Sequence, residues 1–171
     1  MKKVLLIVAQ KGFQPKEYKR PKQILEDGGI EVITASEKVG IAISSYSNEK
    51  ILVDIPVDQV KVGEYDGIFL IGGPQALQYL DNDNMYNIMK EANEVCAVLG
   101  AICISPRILA KAGVLKNKKA TGWDDDGKLK SIFEDVGAKY IKEPVVQDGK
   151  VITAWGPDAA EAFGRLILAN L

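Results

Sequence analysis

Four short and largely apolar runs constrain the fold of this chain more than any other feature of its sequence. They are VLLIVA (4–9), VITAS (32–36), GIFLIGG (67–73) and AICIS (101–105). A strand with one face in solvent alternates apolar and polar residues, whereas a strand of a parallel sheet covered on both faces is apolar throughout. The runs therefore predict a parallel sheet with helices packed on both sides.

Helices are expected between and after these runs. The clearest helical pattern covers 83–99, where apolar residues recur at three- and four-residue spacing and form one stripe. Further helices are expected from Pro106 to Gly113, over 128–136, and from Pro157 onward. Alternation of strand and helix implies right-handed crossovers, so the predicted class is α/β, a doubly wound sandwich with a mostly parallel sheet.

Two segments break this alternation and predict antiparallel pairs. They are IAISSYSNEKILVDIPV (41–57) and VVQDGKVITAW (145–155), the second with a turn at Asp148 and Gly149. The chain shows no internal repeat or linker, and 171 residues suit one core, so a single domain over 1–171 is expected.

Composition excludes several classes of partner. The net charge of -1 and the 26% share of charged residues provide no excess of either sign that would attract nucleic acid or an anionic membrane. The run VLLIVA is too short for a signal peptide, and two cysteines, Cys96 and Cys103, provide no disulfide framework. A cytoplasmic protein is expected, with small molecules or copies of itself as partners and with no cofactor. The acidic triplet at 124–126 is interpreted as a solvated loop with a helix cap, so no metal is predicted.

Cys103 is the first candidate for chemistry. It ends the fourth apolar run, and ligands of open parallel sheets bind beyond the carboxyl ends of the strands. Pro106 suits the first position of a helix, whose free N–H groups would favour the reactive thiolate. The alternative is that Cys103 is a small buried apolar residue, as most free cysteines are.

Two other features point to the same edge of the sheet. Gly72 and Gly73 end the third run, and glycine permits a close backbone approach in which an N–H group faces an oxyanion. Glu17 precedes Pro21 by four residues, and a proline ring within a helix clashes with the carbonyl four residues back. The helix should therefore bend near Glu17 and turn its carboxyl group toward the strand ends, although a glutamate there can also simply complement the helix dipole.

These motifs together resemble the DJ-1/PfpI (ThiJ/PfpI) superfamily. The resemblance rests on the early Glu with Pro four later, the diglycine, and Ala-x-Cys-x-x-Pro followed by Leu-Ala-x-Ala-Gly-Val-Leu. The segments ATGW (120–123) and EPVVQDG (143–149) resemble the PfpI branch, whose members include intracellular peptidases. The resemblance implies a flavodoxin-like fold and a homodimer or hexamer.

The resemblance also implies roles for individual residues. Cys103 matches the nucleophile, Glu17 the carboxyl group that contacts its sulfur, and the N–H groups of Gly73, beside Gly72, and Ile104 the oxyanion and substrate-binding site. Activities described for the superfamily include peptidase, glyoxalase and protein deglycase, and other members are chaperones or sensors of oxidative stress. Fold alone does not choose among these.

The chain departs from the family pattern beside the cysteine. PfpI-like members usually have Cys-His-Gly-Pro, whereas this chain has Cys103, Ile104, Ser105 and Pro106 and contains no histidine at all. Another branch carries a histidine where this chain has Trp123. A Cys-His peptidase needs an imidazole to move protons, so the sequence argues against peptide hydrolysis. Ser105 could strain the turn, supply a hydroxyl to the site, or cap the following helix, of which we favour the cap.

Two functional hypotheses remain open at this stage. The first is an enzyme in which Cys103, with Glu17 as its proton shuttle, attacks a small electrophile such as a dicarbonyl. The second is a non-catalytic oligomer that senses oxidants or binds a ligand, with Glu17 stabilising an oxidised Cys103. Oxidation requires an accessible thiol of low pKa and no general base, so the missing histidine does not oppose the second hypothesis.

Overall fold

The computed structural model describes residues 1–95 and 97–171. The strands in these ranges are β1 (Lys3–Ile7), β2 (Lys11–Phe13), β3 (Glu31–Ser36), β4 (Gly40–Ser44), β5 (Lys50–Val53), β6 (Ile55–Pro56), β7 (Gly67–Leu70), β8 (Val98–Ile102), β9 (Lys119–Ala120), β10 (Lys139–Tyr140), β11 (Val145–Asp148) and β12 (Val151–Ala154). The α-helices are α1 (Pro15–Asp27), α2 (Ala76–Leu80), α3 (Asp83–Glu94), α4 (Pro106–Lys111), α5 (Leu129–Asp135) and α6 (Ala160–Asn170).

The central sheet has seven strands in the order β11-β12-β8-β7-β1-β3-β6. All neighbouring pairs are parallel except β11 with β12, which is antiparallel. The four apolar runs of the sequence supply β1, β3, β7 and β8 at the centre. The predicted α/β class with a mostly parallel sheet is confirmed, and so is the flavodoxin-like fold.

Alternate residues of the central strands fill two separate cores. Leu5 and Ile7 pack with α3, α4 and α5, whereas Val4 and Leu6 pack with α1 and α6. These four side chains are fully buried, and burying a side chain of this size contributes roughly 1.5–3 kcal/mol. Helices on both faces therefore explain why the strand runs do not alternate with polar residues.

Both predicted antiparallel pairs are present, with one shift of register. β4 pairs with β5, and β11 pairs with β12. The turn of the second pair consists of Gly149 and Lys150 rather than Asp148 and Gly149, because Asp148 still pairs with Val151. Gly149 has φ of +60°, the conformation for which glycine is suited.

The helix predicted over 83–99 is shorter than expected. α3 ends at Glu94, with Val95 half-exposed as its C-cap, and the apolar residues from Val98 belong to β8. One continuous apolar pattern thus served two elements, which periodicity alone could not separate. Cys96, which falls within the range 83–99 predicted as helix, lies outside the described residues.

The ends of β7 and β8 meet the start of α1 at one edge of the sheet. The Gln14 backbone N–H, just before α1, donates to the Gly72 carbonyl at 2.9 Å. α1 continues without interruption through Pro21. Among the described residues, none of the helices has the length and apolar character needed to cross a membrane.

Candidate active site

Cys103 lies at a sharp turn between β8 and α4, in a left-handed conformation with φ of +65°. Its backbone N–H donates to the Ala154 carbonyl at 2.9 Å, and its carbonyl accepts from the Trp123 N–H at 2.7 Å. A non-glycine residue at positive φ costs roughly 1–2 kcal/mol, so neighbouring structure must hold it there. The two hydrogen bonds do so, and the side chain is presented to a cavity above the strand ends. We call residues 103–106 the elbow.

Ser105 does not have the role we expected. Its φ of −70° is unstrained, and its side chain makes no cap hydrogen bond to α4, so both the predicted strain and the predicted cap are wrong. The hydroxyl is fully buried and donates to the Ile71 carbonyl at 2.9 Å. A serine therefore ties the elbow to the segment that leads into the diglycine, and the positive φ falls on Cys103 instead.

Glu17 reaches the cysteine from the first turn of α1. The Gln14 side chain caps this helix by accepting from the Lys16 N–H at 2.7 Å, and Pro15 occupies its first position. The Glu17 side chain is completely buried, its Oε2 accepts from the Gly72 N–H at 3.1 Å, and its carboxyl group hydrogen-bonds to the Cys103 side chain. Its Oε1 is buried and has no hydrogen-bond partner among the described residues.

The diglycine is packed too closely for any side chain. A Cβ on Gly72 would lie 2.5 Å from the Cys103 Cβ and 2.6 Å from Glu17 Oε2. Gly73 has φ of +138°, and a Cβ there would lie 2.3 Å from the Gly12 carbonyl oxygen. The close approach lets the Gly73 N–H, together with the Ile104 N–H, hydrogen-bond to the Cys103 side chain.

The structure thus brings together the residues that the sequence singled out. Cys103, Glu17, Gly72, Gly73 and Ile104 meet at the ends of β7 and β8. Their proposed roles as nucleophile, proton carrier and oxyanion site remain predictions. The arrangement contains what such roles need, namely a thiol, an adjacent carboxyl group and two converging N–H donors.

The electrostatics of the pair differ from the expected lowering of the thiol pKa. Burial raises the pKa of Glu17 from 4.5 to about 8, against the opposing hydrogen bonds from Cys103 and the Gly72 N–H. Burial, followed by the charge and hydrogen bond of Glu17, also raises the pKa of the Cys103 thiol, and the Ile104 and Gly73 N–H groups only partly oppose this. Two acids in contact lose their protons in coupled steps. Near pH 8 the carboxyl group of the pair is therefore half ionised, and well above pH 8 the pair carries one negative charge and keeps one shared proton.

The cavity above the pair has a volume of about 470 Å³. Its walls are mainly apolar, and the residues that line it are Gln14, Glu17, Tyr46, Gly73, Pro74, Leu77, Cys103, Ile104, Trp123 and Pro157. Trp123 stands where another branch of the resembled family has histidine, and the chain has no histidine elsewhere. Among the described residues of this wall, the groups available for proton transfer are therefore Glu17, Cys103 and the phenol of Tyr46.

A network behind the cavity was missed from the sequence. Arg107, which is 8% exposed, forms a bidentate ion pair with Asp126 at 2.7 and 3.0 Å. Its guanidinium also lies 5.5 Å from the centroid of the Trp123 ring. The available signal was a lone arginine just after the elbow, with an acidic triplet downstream whose charges were assigned to solvent.

The acidic triplet is engaged in local contacts. Asp124 accepts from the Leu129 N–H at the start of α5, Asp125 accepts from the Trp123 ring N–H, and Asp126 binds Arg107. Among the described residues, no group of three or more His, Cys, Asp or Glu side chains is arranged to hold a metal ion.

Comparisons with known proteins found relatives that match nearly the whole chain. The model of the DJ-1/PfpI family matches residues 2–170. An uncharacterized protein of Methanocaldococcus jannaschii is 36% identical over 167 residues, which cover 97% of this chain and 80% of that protein. An uncharacterized protein of Archaeoglobus fulgidus is 30% identical, over 95% of each chain.

Solved structures are similar over nearly the whole chain. Drosophila melanogaster DJ-1beta superposes with a TM-score of 0.87 at 26% identity, covering 99% of this chain and 90% of that one. A ThiJ/PfpI domain protein from Brachyspira murdochii superposes with a TM-score of 0.91 at 23% identity, covering 98% and 95%. The second likeness concerns the fold alone.

Proposed function

Because the chain belongs to the DJ-1/PfpI family, we propose that it is a glyoxalase-like enzyme in which Cys103 attacks small carbonyl electrophiles and Glu17 handles the proton. The observation that carries this proposal is the completely buried Glu17 carboxyl group, hydrogen-bonded to both Cys103 and the Gly72 N–H. Burial disfavours the charged form of a carboxyl group, so Glu17 keeps a proton beside the sulfur without any histidine.

The first step is addition to the aldehyde carbon of a 2-oxoaldehyde. The Cys103 sulfur forms a bond to this carbon, the C=O π bond breaks, and the oxygen takes the proton that the pair shares. The Gly73 and Ile104 N–H groups, which hydrogen-bond to the sulfur, would stabilise the charge that develops on that oxygen. The product is a neutral hemithioacetal, and Glu17 is left as the carboxylate.

The carboxylate can then complete an internal redox rearrangement. Glu17 takes the hydrogen of the former aldehyde carbon as a proton and returns it to the neighbouring carbon. The hydroxyl proton of the hemithioacetal passes to the oxygen of that neighbouring carbon, which becomes an alcohol. The aldehyde carbon is thereby oxidised to a thioester as its neighbour is reduced, so no external oxidant is needed. Water cleaves the thioester, releases a 2-hydroxy acid and restores the thiol. In deglycation or another hydrolase-like reaction of a dicarbonyl adduct, the sulfur would instead displace the amine from the hemiaminal carbon. The C–N bond would break, the amine would leave with the proton that the pair shares, and the same hemithioacetal would form.

The test is consumption of methylglyoxal by the full chain. We expect loss of activity in Cys103→Ala and in Glu17→Gln, with Cys96→Ala as the matched cysteine control. Circular dichroism checks that each variant is folded. If Cys103→Ala consumed methylglyoxal as fast as the parent, the proposed enzyme would be excluded.

A redox-responsive role is a second candidate, which the free Oε1 of Glu17 favours and the raised pKa of the Cys103 thiol opposes. This buried oxygen has no partner among the described residues. An oxygen atom added to Cys103 would bring an O–H donor into its reach. With hydrogen peroxide, a sulfur–oxygen bond forms, the O–O bond breaks and water leaves. Mild peroxide should oxidise Cys103 well before Cys96 in site-resolved mass spectrometry, and equal oxidation of the two would exclude selective sensing.

We further propose a single cytoplasmic domain over 1–171 that assembles as a homodimer or hexamer. Both core clusters pack on one central sheet, which supports a single domain. Ile41 and Leu52 lie opposite each other on β4 and β5 and are 50% and 64% exposed, which supports burial against a second copy. Size-exclusion chromatography with light scattering measures the mass of the assembly, and a monomer at micromolar concentration would contradict the proposal.

A further inference from the structure

We propose that the cavity above Cys103 selects uncharged electrophiles that carry an aromatic or similarly broad apolar substituent, with Trp123 as the wall that recognises this substituent. The inference rests on the proposed function, because it names the class of substrate that the same thiol would attack. It requires more than that proposal does. The reaction rates at Cys103 must differ among electrophiles by more than the rates of a small free thiol do.

The size of the cavity exceeds what a three-carbon dicarbonyl needs. At about 470 Å³ it falls within the range of roughly 300–1,000 Å³ typical of sites for drug-sized ligands. Tyr46, Leu77, Ile104 and Trp123 present apolar surface around the thiol. A substituent that fills this space would remove apolar surface from water, whereas a methyl group would leave most of the walls hydrated.

The charges around the cavity disfavour anions. Among the described residues that line it, none is lysine or arginine, and the buried pair of Glu17 and Cys103 carries the negative charge. Asp125 accepts from the Trp123 ring N–H at 3.1 Å but lines the neighbouring cavity rather than this one. A carboxylate on the substrate would meet the negative charge of the pair and would find no cation among these lining groups to pair with.

Trp123 is held in place before any ligand binds. Its backbone N–H donates to the Cys103 carbonyl at 2.7 Å, and the Arg107 guanidinium lies 5.5 Å from its ring. Arg107 is itself fixed by its bidentate ion pair with Asp126. A ring locked by its neighbours loses little conformational freedom when an aromatic group packs against it. Trp123 is therefore a specificity residue, and Arg107 is a positioning residue behind it.

The test compares alkylation of Cys103 by iodoacetamide, iodoacetate and iodoacetanilide. In each reaction the sulfur bonds to the same methylene carbon, iodide leaves, and the thiol proton goes to solvent. Rates at Cys103 are measured by site-resolved mass spectrometry near pH 8 and divided by rates with a small free thiol. We expect the anilide to react about threefold or more faster than iodoacetamide after this correction, because its ring packs against Trp123. Iodoacetate should react about tenfold slower because of like-charge repulsion.

Two tryptophan variants make the test specific. Trp123→Leu should abolish the preference for the anilide, and Trp123→Phe should retain part of it. Trp155→Leu is the control, because Trp155 lines a neighbouring cavity and not the wall around Cys103. Equal corrected rates for the three reagents, or a preference unchanged in Trp123→Leu, would overturn the inference. Failure of the proposed enzyme would look different, since methylglyoxal consumption would then not depend on Cys103 while the alkylation preferences could persist.

Discussion

Glu17→Gln provides the most quantitative test of how the site is built. The fully buried carboxyl group has its pKa raised from 4.5 to about 8, chiefly by burial. A group whose pKa is raised on folding stabilises the protein fully below its unfolded pKa, and this stability is lost as pH rises through the folded pKa. The parent should therefore lose stability between pH 4.5 and pH 8, whereas glutamine cannot titrate and is nearly the same size.

The magnitude follows from the shift itself. At 1.4 kcal/mol per pKa unit, the change from 4.5 to about 8 corresponds to roughly 4–5 kcal/mol over the full range. Between pH 5 and pH 8, where most of this range is crossed, we expect the parent to lose about 3 kcal/mol relative to Glu17→Gln. Urea unfolding of both proteins across this interval measures the difference.

A surface carboxyl group supplies the control. Glu91 is exposed on α3, and Glu91→Gln should reproduce the pH dependence of the parent. If the parent and Glu17→Gln had parallel stability profiles, Glu17 would titrate as an ordinary surface acid. The description of Glu17 as a buried carboxyl group paired with the thiol would then be wrong.

Three further predictions concern the backbone around the elbow and the network behind it. Ser105→Ala removes the donor to the buried Ile71 carbonyl and should cost about 1–2 kcal/mol in urea unfolding; an unchanged midpoint would show that water replaces the hydroxyl. Gly72→Ala would place a Cβ 2.5 Å from the elbow cysteine, so we expect a loss of about 2 kcal/mol or more, with Gly63→Ala, where nothing lies within 4 Å, nearly neutral. Asp126→Asn should release the arginine beside the tryptophan ring, costing about 1 kcal/mol and altering tryptophan fluorescence, and an identical emission spectrum would count against the network.

The fold could be predicted from the sequence because its strands are buried on both faces. Runs such as VLLIVA have no face exposed to solvent, and this pattern is typical of parallel sheets covered on both faces. The boundary between α3 and β8 could not be placed in the same way. Apolar residues continue from the helix toward the strand, and periodicity does not indicate where one element yields to the next.

The sequence predicted which residues form the candidate site, but it did not predict the pKa of the thiol. Cys103 and Glu17 were found because the ends of parallel strands converge and because the motif resembles a known family. The pKa of the thiol was expected to be low because only the start of α4 was considered, whereas burial and the neighbouring carboxyl group raise it. Burial depends on every element that packs around the sulfur, which no local stretch of sequence reports.

Side-chain contacts between residues distant in the sequence were not predicted either. The Ser105 hydroxyl binds a carbonyl 34 residues away, and Arg107 pairs with Asp126 across 19 residues. A serine before a proline suggests a helix cap, and an acidic triplet suggests solvent, because those are the common local uses of these residues. Only the fold shows that the Ser105 side chain ties the elbow to Ile71 and that the Arg107 side chain lies behind the Trp123 ring.

The pH dependence of Cys103 alkylation, followed site by site with Cys96 as the internal reference, tests the coupling of Cys103 and Glu17 most directly. The reagent is iodoacetamide, and the parent is compared with Glu17→Gln. Above about pH 8 the parent pair holds one negative charge shared between sulfur and carboxyl, so Glu17→Gln, which removes the competing charge, should react faster at Cys103 and unchanged at Cys96. Identical profiles for the two proteins, or a Cys103 that stays inert at every pH, would contradict a coupled and reactive pair.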